Sequence, residues 1–325
     1  MKAIVCTQYG PPDLLQFKEI AKPAPANNEV LIQVCAASAN PLDWRIMRGD
    51  PFFVRLAFGL RKPKIEVLGS DFAGRVEAVG KDVKQFKPGD EVFGARGFAG
   101  GAFAEYVCAV EDQLALKPAN VSFESAAAVP IAAVTALLGL RDQGAIEPGQ
   151  KVLVDGASGG VGTFAVQIAK SFGAEVTAVC STRNVDTARS IGADHVIDYT
   201  REDFTQRQQR YDLILAANAS HSLFDYRRAL SPNGIYVWSG GKVNLQVIFL
   251  GPLLSLFGRK KIRFFLAKLN EKDLAFLAEL LEAGKVVPVI DRCYPLSDAA
   301  AAIRYREEGH ARGKVVLTVE HNSDH

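Results

Sequence analysis

The sequence predicts an α/β protein in which a doubly wound, six-stranded parallel sheet follows a β-rich domain. Three observations predict it. Val152-Leu153-Val154-Asp155 runs straight into the glycine turn Gly156-Ala157-Ser158-Gly159-Gly160-Val161-Gly162, and a helical pattern follows at 163–172. Residues 151–267 then alternate strand and helix, with strands at 151–155, 175–180, 195–198, 213–216, 234–238 and 262–266. The first 120 residues carry short strands broken by turn residues, as in Lys87-Pro88-Gly89-Asp90.

Each element has a local cause. Residues 30–36, 72–79 and 103–110 are runs of β-branched, aromatic and small residues that read as strands. From 122 to 140 the pattern becomes helical and alanine-rich, with Ser122 or Ser125 as N-cap. In 163–172, Phe164, Ala165, Ile168, Ala169 and Phe172 share a face, and Gly173 is a natural C-cap. Helices at 271–283 and 296–308 and a strand at 314–319 complete the chain. This tail is expected to return to the first domain, giving domains at 1–124 with 268–325, and at 125–267.

The 325 residues, 48% hydrophobic and 23% charged, suffice for two cores. A net charge of +2 gives no footprint for nucleic acid. Cys6, Cys35, Cys108, Cys180 and Cys293 stand singly, without a C-x-x-C pair, so neither a zinc ribbon nor a disulfide framework is indicated, and a reducing cytoplasm is expected. The opening residues read as a strand rather than a signal peptide.

Strand, glycine turn and helix is the arrangement that seats a pyrophosphate on a helix N-terminus. Gly156 serves the turn, Gly159 the approach of the phosphate, and Gly162 the packing of helix on strand. The following strand ends in Cys180-Ser181-Thr182-Arg183, without the acid that would hold a ribose 2′-hydroxyl. A hydroxyl and a guanidinium suit a 2′-phosphate, so NADPH is the expected cofactor. An ordinary solvated loop arginine is the other reading of Arg183.

Several segments together carry a family resemblance. They are Ala36-Ala37-Ser38-Ala39-Asn40-Pro41-Leu42-Asp43-Trp44, Leu68-Gly69-Ser70-Asp71-Phe72-Ala73-Gly74, Phe86-Lys87-Pro88-Gly89-Asp90-Glu91-Val92, the glycine turn, Gly192-Ala193-Asp194-His195-Val196-Ile197-Asp198-Tyr199, and Gly313-Lys314-Val315-Val316-Leu317. In this order they resemble the medium-chain dehydrogenase/reductase superfamily, specifically its zinc-free quinone oxidoreductase and alkenal/enone reductase branch. The resemblance implies a GroES-like β-barrel domain plus a Rossmann domain, with the active site in the cleft between them. Zinc-dependent members carry a cysteine where this chain has Asn40, and Gly-His-Glu where it has Gly69-Ser70-Asp71, so no metal is expected.

The resemblance also implies site residues. Ser181, Arg183 and Tyr199 would line the 2′-phosphate pocket. Thr135, Asn218, Ser239 and Gly240 would touch the nicotinamide ribose and pyrophosphate, along with Ser158, Gly160 and Val161 of the turn. Phe264, Phe265 and Leu266 would approach the nicotinamide. Asn40 is the candidate catalytic residue, its amide donating to a substrate carbonyl; a turn asparagine bonding its own backbone is the alternative. Asp43 reads as a residue that orients its loop.

Without a Lewis acid, hydride must reach an acceptor that is already electrophilic, such as a quinone or an α,β-unsaturated carbonyl. Trp44, Phe52, Phe53, Phe249 and Phe257 are the candidate substrate-binding residues. The apolar stretch 247–257, followed by Arg259-Lys260-Lys261, is too short to span a bilayer, which needs about 20 apolar residues. It reads as a cleft wall or a subunit contact in a homodimer, with peripheral contact to an anionic membrane as the alternative. A non-catalytic NADPH-binding redox sensor is the competing function, because a glycine turn reports binding only.

Overall fold

The computed structural model describes residues 1–241, 245–309 and 311–321; of Phe257 it describes the backbone and not the side chain. The chain divides into two units, one of Met1–Ile131, Lys268–Glu282 and Ile290–His325, the other of Ala132–Ala267 and Ala283–Val289.

The first unit opens with β1 (Lys2–Val5), β2 (Gln16–Glu19) and the long β3 (Glu29–Ala39), followed by helices α1 (Pro41–Arg48) and α2 (Phe53–Phe58). Strands β4 (Asp71–Val79), β5 (Glu91–Ala95), β6 (Tyr106–Val110) and β7 (Leu114–Leu116) lead to helix α3 (Phe123–Ala127). Helix α4 (Pro130–Leu138) carries the chain into the second unit. There follow β8 (Lys151–Asp155), α5 (Gly160–Ser171), β9 (Glu175–Cys180), α6 (Val185–Ser190), β10 (His195–Asp198), β11 (Tyr211–Ala216), α7 (Leu223–Ala229), β12 (Leu230–Trp238), α8 (Leu245–Phe257) and β13 (Lys261–Phe264). Helix α9 (Glu271–Glu282), β14 (Ile290–Pro295), α10 (Ala299–Glu307) and β15 (Lys314–Thr318) return to the first unit.

The second unit contains the expected sheet: six parallel strands in the order β10-β9-β8-β11-β12-β13. Its central strands β8, β9 and β11 are largely apolar runs buried on both faces, as a sheet covered by helices on both sides requires. The strand order reverses between β8 and β11, and the crevice outside their carboxyl ends is where such sheets bind ligands. In the first unit a sheet runs β14-β15-β3-β4-β5-β7, with β6 also on β3. Its register sets Val315 opposite Ala39 and Ser38 opposite Asp71. Lys314, Asn40 and Asp71 therefore meet at one end of three neighbouring strands.

Three expected elements come out differently. The helix expected over 122–140 is two, because Pro130 has no N–H to donate and its ring blocks the preceding turn. The expected N-cap Ser122 accepts the Ser125 N–H at 3.2 Å. The strand expected from 103 starts at Tyr106, since Phe103 is instead held by Leu68 O and Ile4 N. β13 stops at Phe264, its pairing ending where β12 ends at Trp238, and Leu266 is 84% exposed.

Candidate functional site

The glycine turn joins β8 to α5, and its three glycines are there for different reasons. Gly156 has φ +80°, and a Cβ on it would lie 2.7 Å from Asn218 Cβ. A Cβ on Gly162 would lie 2.1 Å from the Gly156 carbonyl oxygen. Both positions are closed by the protein itself. Gly159 is not: its φ is −83°, and the nearest atom to an added Cβ is 3.5 Å away. It is the N-cap of α5 and brings no side chain, so the N–H groups of the first turn, from Gly160 and Val161 onward, have no side-chain partner from the cap. A bare backbone cradle at a 12-residue helix N-terminus fits a pyrophosphate. Ser158 is half-buried within it.

Apart from Thr135, the remaining nucleotide candidates of the second unit fall at or just past the carboxyl ends of its strands. Asn218 donates its N–H to Asp155 O at 3.3 Å. Ser239 donates both its N–H (3.0 Å) and its Oγ–H (3.2 Å) to Ala216 O. A Cβ on Gly240 would strike Ala217 O at 2.4 Å. Thr135 is half-buried on α4. The Phe265 ring lies beside Gly139, and Phe264 is 43% exposed. At the ends of β9 and β10, Ser181 accepts from Asn184 Nδ2 at 3.1 Å and the Tyr199 N–H bonds Cys180 O at 3.0 Å. Arg183 and Tyr199 are exposed. An acid does stand beside this turn, supplied by β10 rather than β9: Asp198 accepts Thr182 Oγ1–H at 2.6 Å and Thr200 Oγ1–H at 2.7 Å. The Thr182 bond, with those of Thr200, holds its carboxyl below the usual range.

The first unit holds a buried polar cluster. Asn40 is 3% exposed. Its Nδ2 donates to Ser38 O (3.3 Å) and to Asp71 Oδ2 (2.9 Å), and its Oδ1 accepts from Lys314 Nζ (2.7 Å). Asp71 Oδ2 also accepts from Ser38 Oγ (2.9 Å) and Lys314 Nζ (3.2 Å), and Oδ1 from Ile131 N (3.1 Å). Asp43, three residues past Asn40, accepts the Asn40 backbone N–H at 2.6 Å and so fixes the entry to α1. Burial pushes Asp43 up to about 7, and burial pulls the Lys314 ammonium below its ordinary value. Both amide hydrogens of Asn40 are thus engaged within the protein.

These residues do not fit a zinc ion. The donor set at the positions in question is an amide, a hydroxyl and one carboxylate, and a lysine ammonium already pairs with that carboxylate. Ser70 Oγ is turned to Gly97 O. Among the described residues no group of three or more His, Cys, Asp or Glu could hold a metal. Lys314 and Asp71 join the cluster only through strand pairing. The available signal was a charged residue opening or closing an apolar strand, as in Lys314-Val315-Val316-Leu317.

Of the substrate candidates, Phe52, Phe53 and Phe249 are surface groups of their own units. Trp44 is half-buried against the first unit's core, with the Arg45 guanidinium 5.5 Å from its ring. Phe52 and Phe53, at the start of α2, are 66% and 58% exposed, and Phe249 on α8 is 72% exposed. The Phe257 side chain lies outside the described residues.

Asp155, the last residue of β8, is 4% exposed and accepts the Tyr226 hydroxyl. Tyr226 stacks on Tyr236 at 4.5 Å, and His221 meets it edge-on at 5.9 Å. Burial raises the Asp155 carboxyl to about 6, against the opposing Tyr226 bond, His221 charge and Gly156 N–H. Between pH 3.8 and about 6 the folded chain keeps a proton that the unfolded chain has released. Stability contributed here is therefore lost as pH rises through that window and is constant above it, a change of roughly 3 kcal/mol. Urea titrations at pH 4 to 7 should show Asp155→Asn removing this part of the slope; an unchanged slope would place the proton elsewhere.

Comparison with known proteins agrees with this architecture. Residues 26–119 match the alcohol dehydrogenase GroES-like domain, and residues 191–317 match the zinc-binding dehydrogenase family. The chain is 36% identical over 317 residues to the chloroplastic quinone-oxidoreductase QR1 of Triphysaria versicolor, covering 93% of each chain. It is 37% identical over 329 residues to 2-methylene-furan-3-one reductase of Solanum lycopersicum, covering 98% of this chain and 79% of the relative. The crystal structure of Escherichia coli quinone oxidoreductase complexed with NADPH superposes with a TM-score of 0.82 at 27% identity, covering 98% of this chain and all of the other. With a GroES-like sheet unit, a six-stranded parallel sheet, and relatives of this identity along nearly its whole length, the chain belongs to the quinone oxidoreductase branch of the medium-chain dehydrogenase/reductase superfamily.

Proposed function

We propose that this protein is an NADPH-dependent oxidoreductase that reduces hydrophobic quinones or α,β-unsaturated carbonyls without a metal. The observation that carries the reading is the Lys314–Asp71–Asn40 cluster. With an internal ammonium at the positions where zinc-dependent members bind their metal, an isolated carbonyl has no Lewis acid to polarise it. The acceptor must then bring its own electrophilicity by conjugation. The names of the Triphysaria and tomato relatives, one for quinones and one for an exocyclic enone, support that acceptor class.

Gly156, Ser158, Gly159, Gly160 and Val161 would hold the pyrophosphate. Thr135, Asn218, Ser239 and Gly240 would hold the nicotinamide ribose, with Phe264, Phe265 and Leu266 toward the nicotinamide. Ser181, Arg183 and Tyr199 would read the 2′-phosphate, and the NADPH complex of the bacterial relative supports this choice of cofactor. Bound NADPH supplies the hydride. The protein supplies orientation and apolar surface, from Trp44, Phe52, Phe53, Phe249 and Phe257. Asn40, its amide engaged on both hydrogens, acts as a positioning residue for the loop entering α1. Solvent delivers the proton. The five unpaired thiols suit a reducing compartment, and we place the protein in the cytoplasm.

The test is turnover of a hydrophobic enone with NADPH deuterated at C4, with NADH as comparison. Label is expected on the β-carbon, at a rate at least about tenfold higher with NADPH than NADH, the worth of one charged contact. Label on the carbonyl carbon, or equal use of NADH, would overturn the acceptor or the cofactor assignment respectively.

A further inference from the structure

The second unit exposes an apolar helix face that extends well beyond the substrate candidate Phe249. Helix α8 carries no charged residue from Leu245 to Phe257. Its inner side is fixed: Val247 is fully buried, Gly251 lies against Ile262, and Ser255 Oγ bonds both Gly251 O (2.8 Å) and Ile262 N (2.8 Å). Its outer side presents Leu245, Phe249, Leu253 and Leu256, exposed by 61%, 72%, 53% and 75%. Spacings of four, four and three place them on one stripe. A helix apolar on all sides is normally buried, so this stripe lacks its partner.

The charge around the helix says what the partner is. From Tyr226 to Asn270 the sequence contains no Asp or Glu, while Arg227, Arg228, Lys242, Arg259, Lys260, Lys261, Arg263 and Lys268 are all cationic. At the carboxyl end of α8, Lys260 Nζ bonds Arg227 O at 2.8 Å and Lys261 Nζ bonds Ser255 O at 2.7 Å. The Arg227 guanidinium lies beside Gly258. Burial, and then the charges of Arg227 and Arg210, hold the Lys260 ammonium below its ordinary value. Arg259, three residues past Leu256, is exposed. Among the described residues, none of Arg210, Arg227, Arg259, Lys260 and Lys261 pairs with a carboxylate; the bonds they make go to carbonyl oxygens. A second copy pairing through this segment would bring cations and no acid to the contact, which disfavours it.

We propose that α8 is a membrane-surface element, seating Leu245, Leu253 and Leu256 among the acyl chains of an anionic bilayer with the Arg259–Lys260–Lys261 end at the headgroups. Apolar side chains and cations side by side are what such a surface binds. The helix lies on the bilayer and does not cross it, because no helix among the described residues is long and apolar enough to do so.

The experiment is flotation of the full chain with vesicles of phosphatidylcholine containing about one-third phosphatidylserine, against phosphatidylcholine alone. The protein should float with the anionic vesicles and fall by at least about tenfold in high salt or without phosphatidylserine. The Leu253→Ser/Leu256→Ser variant should lose flotation by a similar factor while keeping its thermal midpoint and its oxidoreductase rate. Absence of flotation by the wild type, or flotation unchanged in the variant, overturns the proposal. So does a wild-type dimer that light scattering shows becoming a monomer in the same variant, since the stripe would then belong to a second copy.

Discussion

Gly159→Ala is expected to fold as the wild type does and to lose its nucleotide. The backbone at this position has φ −83° and ψ 174°, which alanine adopts without strain, and the added methyl would meet nothing closer than 3.5 Å. A glycine kept where the protein leaves room for a Cβ is explained by a ligand that uses the room. The KM for NADPH should rise by about 100-fold or more, which is roughly 2.7 kcal/mol of lost binding, with the thermal midpoint unchanged. Gly162→Ala should behave in the opposite way, losing stability first, because its methyl would sit 2.1 Å from a backbone oxygen that cannot move aside. Isothermal titration with NADPH and thermal melts of the two variants separate the cases. Full affinity in Gly159→Ala would remove the pyrophosphate from this turn.

Lys314→Met is the second large effect. The ammonium is 3% exposed and its partner Asp71 is fully buried. Removing the cation leaves a buried carboxylate without its charge partner and the Asn40 carbonyl oxygen without its donor. Breaking such a pair from one side costs about 3–5 kcal/mol. Replacing both ends, as in Lys314→Met/Asp71→Asn, should return most of that loss, because the uncompensated charge is gone. Denaturant titration of the single and double variants reads the difference. A double variant as unstable as the single one would mean that the lysine stem, and not its charge, is what the site needs.

The sequence by itself determined the six parallel strands, the glycine turn and the helix after it. These are local patterns: an apolar run of strand length, glycines at fixed spacing, and a helical period over one turn after another. Its resemblance to zinc-dependent members implies that Asn40 and Ser70 stand where a metal would need other ligands. Local pattern placed the breaks less well. Pro130 lies inside an alanine-rich stretch whose period continues past it, and its missing N–H and its ring divide the helix. Tertiary structure alone decided the chemistry around Asn40. Ser38, Asn40, Asp71 and Lys314 are up to 276 residues apart and meet because β15 returns to pair with β3 beside β4. Nothing in the spacing of Lys314 announces that its ammonium fills both the Asn40 and the Asp71 acceptors. The same holds for Asp198, an acid brought beside Ser181 by strand pairing, and for Asp155, whose proton affinity comes from Tyr226 and the packing around it. A strand's burial can be read from its own residues, whereas a buried charge is understood only through the partners that other strands deliver to it.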